Sequence, residues 1–359
     1  MDIPPNVLSA LLGLVGGAAL GASARYTGFC SFAAIADWRA SGDLKRWRGW
    51  LLAIAVAIAG TQALDLAGLV DISLSGYLSP SFFWAGAVLG GLVFGFGMAL
   101  AGGCGLGLLI RAGAGDGRAL FGMMTLAIAG YATMRGVFAL LRMDIVNAAS
   151  TSFNGAGSQN MGDLLAWTTG MAPGAASALV ASLAVIGIAA FCLRDTGFRQ
   201  SRHLLGGVVL GGAAVWGWAA TGWLAADPFE PVRLESYTFV RPVGDALLYI
   251  MTYTGASATF AIGSVGGVLL GAFGMAWRMG ELRVETCDHP RDFGHMLLGA
   301  TLMGVGGVFA SGCTIGQGVS AISVLAISGP ITLLFLIIGA SLGMRYLLEG
   351  ISPFNLRRF

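Results

Sequence analysis

Two stretches of the chain, one in each half, place a single cysteine at the same point of a glycine-rich apolar run. The first is residues 90–107, with Cys104, and the second is residues 299–316, with Cys313. A thiol is a weak hydrogen-bond donor with a polarizable sulfur, so it suits a soft sulfur-containing anion better than a hard, hydrated one. The matching positions are Gly90, Gly95, Gly97, Gly103, Cys104 and Gly107 with Gly299, Gly304, Gly306, Gly312, Cys313 and Gly316.

Each of these cysteines interrupts an apolar run, which predicts a helix that stops and then restarts. The first N–H groups of a restarted helix have no intrahelical acceptor, and a helix N-terminus therefore binds anions readily. Thr314 and Gln317 add a hydroxyl and an amide beside Cys313. We expect these side chains to bind a ligand together with backbone N–H groups that glycine leaves exposed, at Gly103, Gly105, Gly312 and Gly316.

Residues 25–30 form a third element of this kind, with Arg25 and Cys30 at its ends. Arg111 follows the Cys104 motif. A guanidinium group keeps its charge when it is desolvated and forms bidentate hydrogen bonds to oxyanions. Arg25 and Arg111 are therefore candidates for attracting an anion, although Arg111 also fits a flanking charge on the cytoplasmic side.

The composition indicates that the chain is embedded in a membrane. Its 359 residues are 56% hydrophobic and 11% charged, with a mean hydropathy of +0.79, whereas soluble domains carry about 25% charged residues. The 58 glycines fall largely within apolar runs, where small residues let helices pack closely and allow breaks beside a cavity. The net charge of +2 gives no nucleic-acid-binding signature.

The sequence lacks the motifs that would indicate a metal site, a disulfide framework or a nucleotide-binding loop. The five cysteines include no CxxC pair, so no metal site is predicted, and an odd number argues against a disulfide framework. Cys192 and Cys287 lie outside the three elements and are interpreted as inert. Residues 113–117 are glycine-rich but lack the lysine of a P-loop. No cofactor is predicted, and the chain is interpreted as a transporter rather than an enzyme.

Nine apolar segments predict an all-α integral membrane protein, with short re-entrant or broken helices at the cysteines. The segments are residues 7–24, 51–70, 82–101, 120–141, 175–193, 204–225, 255–277, 293–310 and 331–348. Residues 142–173 are polar and form the predicted connector. They divide one integral membrane domain into a first membrane repeat, residues 1–141, and a second, residues 174–359.

The distribution of basic residues favours one orientation of the chain in the membrane. With the N-terminus outside and the C-terminus in the cytoplasm, 14 basic residues fall inside and only Arg142, Arg233 and Arg241 fall outside. The spans that precede Cys104 and Cys313 then cross in opposite directions, which predicts an inverted-topology repeat. In such proteins substrate sites form near the membrane midplane from broken helices of both halves.

At these residues the chain resembles the YeeE/YedE family of bacterial inner-membrane proteins. The matching pieces are residues 25–34, 101–113 and 311–320. The resemblance implies a multi-pass inner-membrane protein that takes up thiosulfate, relayed by S–H···S contacts at Cys30, Cys104 and Cys313. It also implies a soluble sulfur-carrier partner of the TusA type. Some relatives are assigned to sulfide, sulfite or selenium compounds, and Gly105, where some selenium-associated relatives have proline, disfavours the selenium branch.

The predicted function is therefore uptake of thiosulfate, or of a related small sulfur anion, across the inner membrane. One alternative is a membrane sulfurtransferase in which Cys104 or Cys313 carries a persulfide, which needs an accessible, reactive thiolate. Another is a non-transporting membrane anchor for soluble redox partners. The substrate, the driving force and the order of the thiols along the path stay open from the sequence.

Overall fold

The computed structural model shows a chain that is almost entirely helical. It describes residues 4–153, 157–227, 232–283 and 290–349. Cys287, Arg357 and Arg358 lie outside these residues. The helices are α1 Pro5–Thr27, α2 Ser31–Ser41, α3 Lys45–Leu66, α4 Trp84–Leu100, α5 Gly105–Gly113, α6 Gly117–Arg135, α7 Ala139–Ala148, α8 Met161–Thr169, α9 Pro173–Leu193, α10 Thr196–Arg199, α11 Arg202–Ala219, α12 Arg241–Met251, α13 Phe260–Met279, α14 Pro290–Phe309 and α15 Ser328–Glu349. Strands β1 Ser81–Phe82 and β2 Thr151–Ser152 pair antiparallel.

Eight helical segments of the described residues are long and apolar enough to cross a membrane, which confirms the all-α integral membrane class. They are Pro5–Ser41, Lys45–Leu66, Trp84–Gly113, Pro173–Leu193, Arg202–Leu224, Phe260–Met279, Asp292–Phe309 and Ser328–Leu348. The predicted crossing at residues 120–141 is not one helix, because α6 ends at Arg135 and α7 begins at Ala139. Gly136, a poor helix former, has extended backbone angles there and ends α6.

Glycines let α4 and α14 pack backbone to backbone in opposite directions. A Cβ added to Gly97 would lie 2.6 Å from the carbonyl oxygen of Gly299, and one added to Gly90 would lie 2.7 Å from that of Gly306. Gly90 matches Gly299 in the repeated pattern, and Gly97 matches Gly306, so the two copies contact each other reciprocally. This contact agrees with the prediction that the two copies of the repeated pattern run in opposite directions. That the two complete halves form an inverted repeat stays a prediction.

The segment between α11 and α12 returns into the protein interior as extended chain. Tyr237 and Phe239 are 1% and 0% exposed, and Ser320 donates a hydrogen bond to the Tyr237 carbonyl at 2.8 Å. Non-helical backbone is tolerated at membrane depth only where it is buried in protein or lines a cavity. We call residues 232–240 the extended segment; its second half, which includes the buried Tyr237 and Phe239, therefore lies in the protein interior.

The predicted connector contains structure of its own. It includes most of α7, strand β2 and α8. Gln159 donates to the carbonyl oxygen of Tyr77 at 2.7 Å, and the Met161 N–H donates to that of Leu325 at 2.8 Å. The connector thus contacts both parts of the chain that it joins.

Candidate functional site

Cys30, Cys104 and Cys313 occupy the same position, the residue immediately before a helix. Cys30 precedes α2, Cys104 precedes α5, and Cys313 precedes a helical stretch that begins at Thr314. The carbonyl oxygen of each cysteine accepts from the N–H four residues later, at 2.8–3.0 Å. The predicted break and restart is therefore present three times.

The helices before Cys104 and Cys313 end in the same way. Gly102 and Ser311 have φ of 68° and 55°, the left-handed conformation that commonly ends a helix. The N–H groups of Gly103 and Gly312 then donate to carbonyl oxygens of the preceding helix, at 3.0 and 2.8 Å. The expectation that these two glycines expose backbone donors is wrong, because their N–H groups close helix ends.

Each cysteine sulfur lies over the first turn of its own helix. The Gly316 N–H donates to Cys313 Sγ at 3.4 Å, and the N–H groups of Gly107 and Ala33 face the other two sulfurs in the same relationship. A helix N-terminus carries partial positive charge and favours negative charge nearby. The arrangement therefore offers three polarizable sulfurs, each at a site suited to an anion.

The thiols are connected through side chains of both halves. The Cys30 and Cys104 thiols are neighbours, and the Thr314 hydroxyl faces the Cys104 thiol. Thr314 directly follows Cys313 in the chain. A Cβ added to Gly107 would lie 3.8 Å from the Cys104 sulfur and 3.9 Å from the Cys30 sulfur. The structure therefore places Cys30 and Cys104 side by side, with Cys313 one residue away from the threonine that faces Cys104.

Two polar atoms in this region are buried without a hydrogen-bond partner in the described part of the chain. They are Thr314 Oγ1 and Gln317 Oε1, close to cysteines that are only 1–2% exposed. The amide nitrogen of Gln317 donates to the Ala310 carbonyl at 2.8 Å, so this side chain also closes the end of α14. An unsatisfied buried polar atom costs about 1–3 kcal/mol, so both oxygens indicate a missing partner such as a ligand or water.

Thr238 is a site residue that the sequence analysis missed. Its Oγ1 lies 3.7 Å from Cys313 Sγ, and the backbone N–H of the next residue, Phe239, faces the same sulfur. Thr238 belongs to the extended segment, which lies between the apolar segments predicted at residues 204–225 and 255–277. The run Ser-Tyr-Thr-Phe-Val at residues 236–240 was the available signal, since it is rich in aromatic and β-branched residues.

The structure pairs Arg25 and Arg111 with carboxylates. Arg25 Nη2 lies 2.9 Å from Glu281 Oε2, and Arg111 donates to Asp116 Oδ2 from Nε and Nη2, at 2.9 and 2.6 Å. Burial raises the pKa of Asp116, but the hydrogen bonds and charge of Arg111 outweigh burial and hold this pKa below its ordinary value. Attraction of an anion by Arg25 or Arg111 stays a prediction.

Discontinuous apolar helices that meet at thiols and unsatisfied polar atoms define a class, the multi-pass membrane proteins that form substrate sites from broken helices. The chain belongs to the sulphur transport family, whose sequence profile matches residues 26–342. This match confirms the resemblance to the YeeE/YedE family, and it includes Cys30, Cys104 and Cys313.

Two curated relatives agree with this assignment. The chain is 29% identical over 343 residues to the thiosulfate transporter TsuA of Escherichia coli (strain K12), covering 92% of both chains. It is 25% identical over 257 residues to the thiosulfate transporter TsuA of Spirochaeta thermophila, covering 71% of this chain and 75% of the relative.

Proposed function

We propose that this protein takes up thiosulfate across the bacterial inner membrane and relays it along Cys313, Cys104 and Cys30. The observation that carries the proposal is the grouping of these three thiols, each at a helix N-terminus. Membership of the sulphur transport family and the names of both relatives support thiosulfate as the substrate. A thiol path explains why Cys104 and Cys313 are buried, and Cys30 partly buried, at helix breaks.

The relay needs neither a covalent bond nor a change of redox state. A neutral S–H donates to the terminal sulfur of thiosulfate, and the ion moves on when the next thiol replaces that contact. The thiols act in the protonated form, because a thiolate would repel the anion strongly in a medium of low dielectric constant. The positive ends of the restarted helices offset the charge of the ion while water is excluded.

Thr314 supplies the oxygen-binding contact between the first two thiols. Its hydroxyl faces Cys104, yet its oxygen has no hydrogen-bond partner among the described residues. A thiosulfate ion between Cys313 and Cys104 satisfies this hydroxyl through one of its own oxygens. The interaction replaces part of the hydration shell that the ion loses on entering the path.

The direction of uptake follows from the predicted orientation. With the N-terminus outside, Cys313 lies after a span that ends outside, and Cys104 after a span that ends inside. Thiosulfate then meets Cys313 first and leaves past Cys30 on the cytoplasmic side. A soluble sulfur carrier of the TusA type is the partner that we propose for the released ion, and its consumption inside would favour inward transport.

Growth on thiosulfate tests the relay directly. A bacterium that lacks sulfate uptake, supplied with thiosulfate as its only sulfur source, is expected to grow with the wild-type gene and to fail with Cys104→Ala or Cys313→Ala. Cys192→Ala is the matched control, because Cys192 is also buried but contacts the Arg48 carbonyl away from the path. Normal growth of both path variants, at wild-type protein levels, would reject the relay.

A further inference from the structure

A groove of about 440 Å³ runs between α3, α9 and α15, and every described residue that lines it is apolar. We call it the apolar groove, defined by Ile54 and Ile58 of α3, Ala184 and Ile188 of α9, and Leu333 and Ile337 of α15. The gap exists because α9 packs loosely: just three of its described residues, Ala176, Ala181 and Cys192, are buried.

Helix α8 closes one end of the apolar groove. Met161, the first residue of α8, lines the groove, and its N–H donates to the Leu325 carbonyl at 2.8 Å. The next residue, Gly162, packs tightly on α9, since a Cβ added to it would lie 2.5 Å from the Cα of Ser177. In the predicted orientation this closed end is the outer one. The groove therefore opens sideways and toward the cytoplasmic end of α3.

The apolar groove lies at the depth of lipid acyl chains. At a rise of about 1.5 Å per residue, Leu51 is about 9 Å and Ile58 about 20 Å from the Lys45 end of α3. Both residues line the groove, and the hydrocarbon core of a bilayer is about 30 Å thick. A lipid whose headgroup lies at the Lys45 end of α3 therefore has its acyl chain along the groove.

Basic side chains gather at that end of α3. The Cys192 thiol donates to the Arg48 carbonyl at 3.3 Å, so the end of α9 meets the start of α3. The exposed Arg194 directly follows α9, and the exposed Arg199 ends α10. We call Lys45, Arg48, Arg194 and Arg199 the basic cluster. Clusters of this kind at the cytoplasmic ends of membrane helices bind anionic lipid headgroups.

The basic cluster keeps an excess of positive charge and an unused donor. Two carboxylates lie beside it: Asp43 accepts from the Lys45 N–H, and Asp195 pairs with Arg48 Nη1. Arg48 Nε, however, is buried without a hydrogen-bond partner in the described part of the chain. A buried guanidinium donor of this kind indicates a missing acceptor, and guanidinium groups bind phosphate oxygens well.

The apolar groove also contacts the helical stretch that follows Cys313. Ile322 and Leu325, from the end of this stretch, line the groove beside the helices. Leu325 has a φ of 59°, a conformation that is unfavourable for a bulky side chain and needs support from its surroundings. An acyl chain in the groove packs against both residues and supplies part of this support.

We propose that the apolar groove binds one acyl chain of an anionic phospholipid of the cytoplasmic leaflet, whose phosphate contacts the basic cluster. The apolar lining and the closed outer end select a chain that enters from the cytoplasmic leaflet. The charge of the cluster selects an anionic headgroup over a zwitterionic one. The inference does not depend on which ion the protein transports.

Native mass spectrometry of the full-length protein tests the apolar groove. The protein is released from nanodiscs that contain equal amounts of phosphatidylglycerol and phosphatidylcholine with the same acyl chains. Wild type is expected to retain phosphatidylglycerol in preference to phosphatidylcholine. Ala184→Phe fills the groove with a ring and is expected to lose this lipid. Ala190→Phe is the matched control, because Ala190 is an exposed residue of α9 outside the groove.

The headgroup contact is tested in the same assay with exposed residues, whose replacement leaves the fold intact. R194Q/R199Q is expected to bind phosphatidylglycerol about tenfold or more weakly, because two basic residues near the membrane surface are lost. Its binding of phosphatidylcholine is expected to stay unchanged. R278Q/R283Q is the matched control, since it removes two exposed arginines that lie outside the basic cluster and do not line the groove.

Melting temperatures provide an independent measurement. Added phosphatidylglycerol is expected to raise the melting temperature of wild type, because it binds the folded state, and to leave that of Ala184→Phe unchanged. The proposal is overturned if Ala184→Phe or R194Q/R199Q retains phosphatidylglycerol as wild type does, or if wild type retains both lipids equally. A wild-type dimer that Ala184→Phe converts to a monomer would assign the groove to a second copy of the chain, and would also overturn it.

Discussion

The hydroxyl oxygen of Thr238 lies 3.7 Å from the sulfur of Cys313, although the two residues are 75 positions apart in the chain. Thr238 sits on the extended segment and Cys313 at the start of a restarted helix. Their contact places a hydroxyl, a thiol and a helix N-terminus side by side. Under the proposed relay, this is the point at which the anion meets the first sulfur.

Thr238→Val tests whether that hydroxyl takes part in transport. Valine keeps the branched shape of threonine and removes only the hydroxyl, so thiosulfate uptake is expected to fall about tenfold through loss of one hydrogen bond to a charged ligand. Radiolabelled uptake into cells measures the change. Thr238→Ser, which keeps the hydroxyl, is expected to transport nearly as well as wild type. Equal uptake by the valine and serine variants would show that the hydroxyl is not used.

Thr314→Val tests whether the Thr314 hydroxyl serves transport rather than the stability of the fold. The buried Thr314 oxygen has no hydrogen-bond partner in the part of the chain that the structure describes, so removing it is expected to leave the melting temperature unchanged or higher while uptake falls. Thr133→Val is the matched control, because the buried Thr133 hydroxyl donates to the Ala129 carbonyl at 2.8 Å. That control is expected to leave uptake unchanged. A Thr314→Val protein that transports normally would remove this residue from the path.

The cysteine elements were predictable because their signals are local. Glycine near a single cysteine inside an apolar run predicts a helix break, and this signal depends only on neighbouring residues. The strong hydropathy of the long segments likewise specified the all-α membrane class. The restarts after Cys30, Cys104 and Cys313 all occur where the sequence placed them, since each depends on a few neighbouring residues.

The roles of individual glycines were less predictable, because one residue type serves two purposes. Gly90 and Gly97 are required by the close contact of α4 with α14, whereas Gly103 and Gly312 donate to the ends of their own helices. The sequence pattern alone does not separate helix packing and helix ends from ligand binding. Only the positions of the neighbouring backbones decide between them.

The other contacts that the sequence did not predict join residues that are far apart in the chain. The pairing of Arg111 with Asp116 spans five positions and is visible locally, but Arg25 pairs with Glu281, 256 positions away. The contact of Thr238 with Cys313 has the same origin, because the two residues are 75 positions apart.

Asp116→Asn tests the Arg111–Asp116 pair through its pH dependence. Asparagine keeps the oxygen that caps α6, where Asp116 accepts from the N–H groups of Arg118 and Ala119, but it removes the charge. The pKa of Asp116 is lowered in the folded protein. The charged form therefore stabilises the fold above the ordinary carboxyl pKa of about 3.9, and this contribution disappears as the pH falls through the lower folded value.

The melting temperature of the Asp116→Asn variant is expected to lie below that of wild type at neutral pH. The difference is expected to shrink once the pH is below about 4. Asp37→Asn is the control, since the pair of Asp37 with Arg46 is more exposed and such surface pairs contribute little. A deficit of the same size at acidic and neutral pH would mean that charge is not the cause.

Gly107→Ala is the sharpest test of a path between Cys104 and Cys30. The added methyl would lie 3.8 Å from one sulfur and 3.9 Å from the other, which is ordinary contact and fills the space beside both thiols. Alanine in a helix is favoured over glycine by about 1 kcal/mol. We therefore expect a protein that is at least as stable as wild type and yet transports thiosulfate poorly.

A variant that keeps its stability but loses uptake has an obstructed path, whereas a variant with a damaged fold loses both. Gly266→Ala in α13 is the matched control, because no atom of the described residues lies within 4 Å of its added methyl. It is expected to gain similar helix stability and to keep wild-type uptake. The two measurements are the melting temperature of the purified proteins and the initial rate of thiosulfate uptake. If Gly107→Ala transports as Gly266→Ala does, the ion does not pass between these two sulfurs.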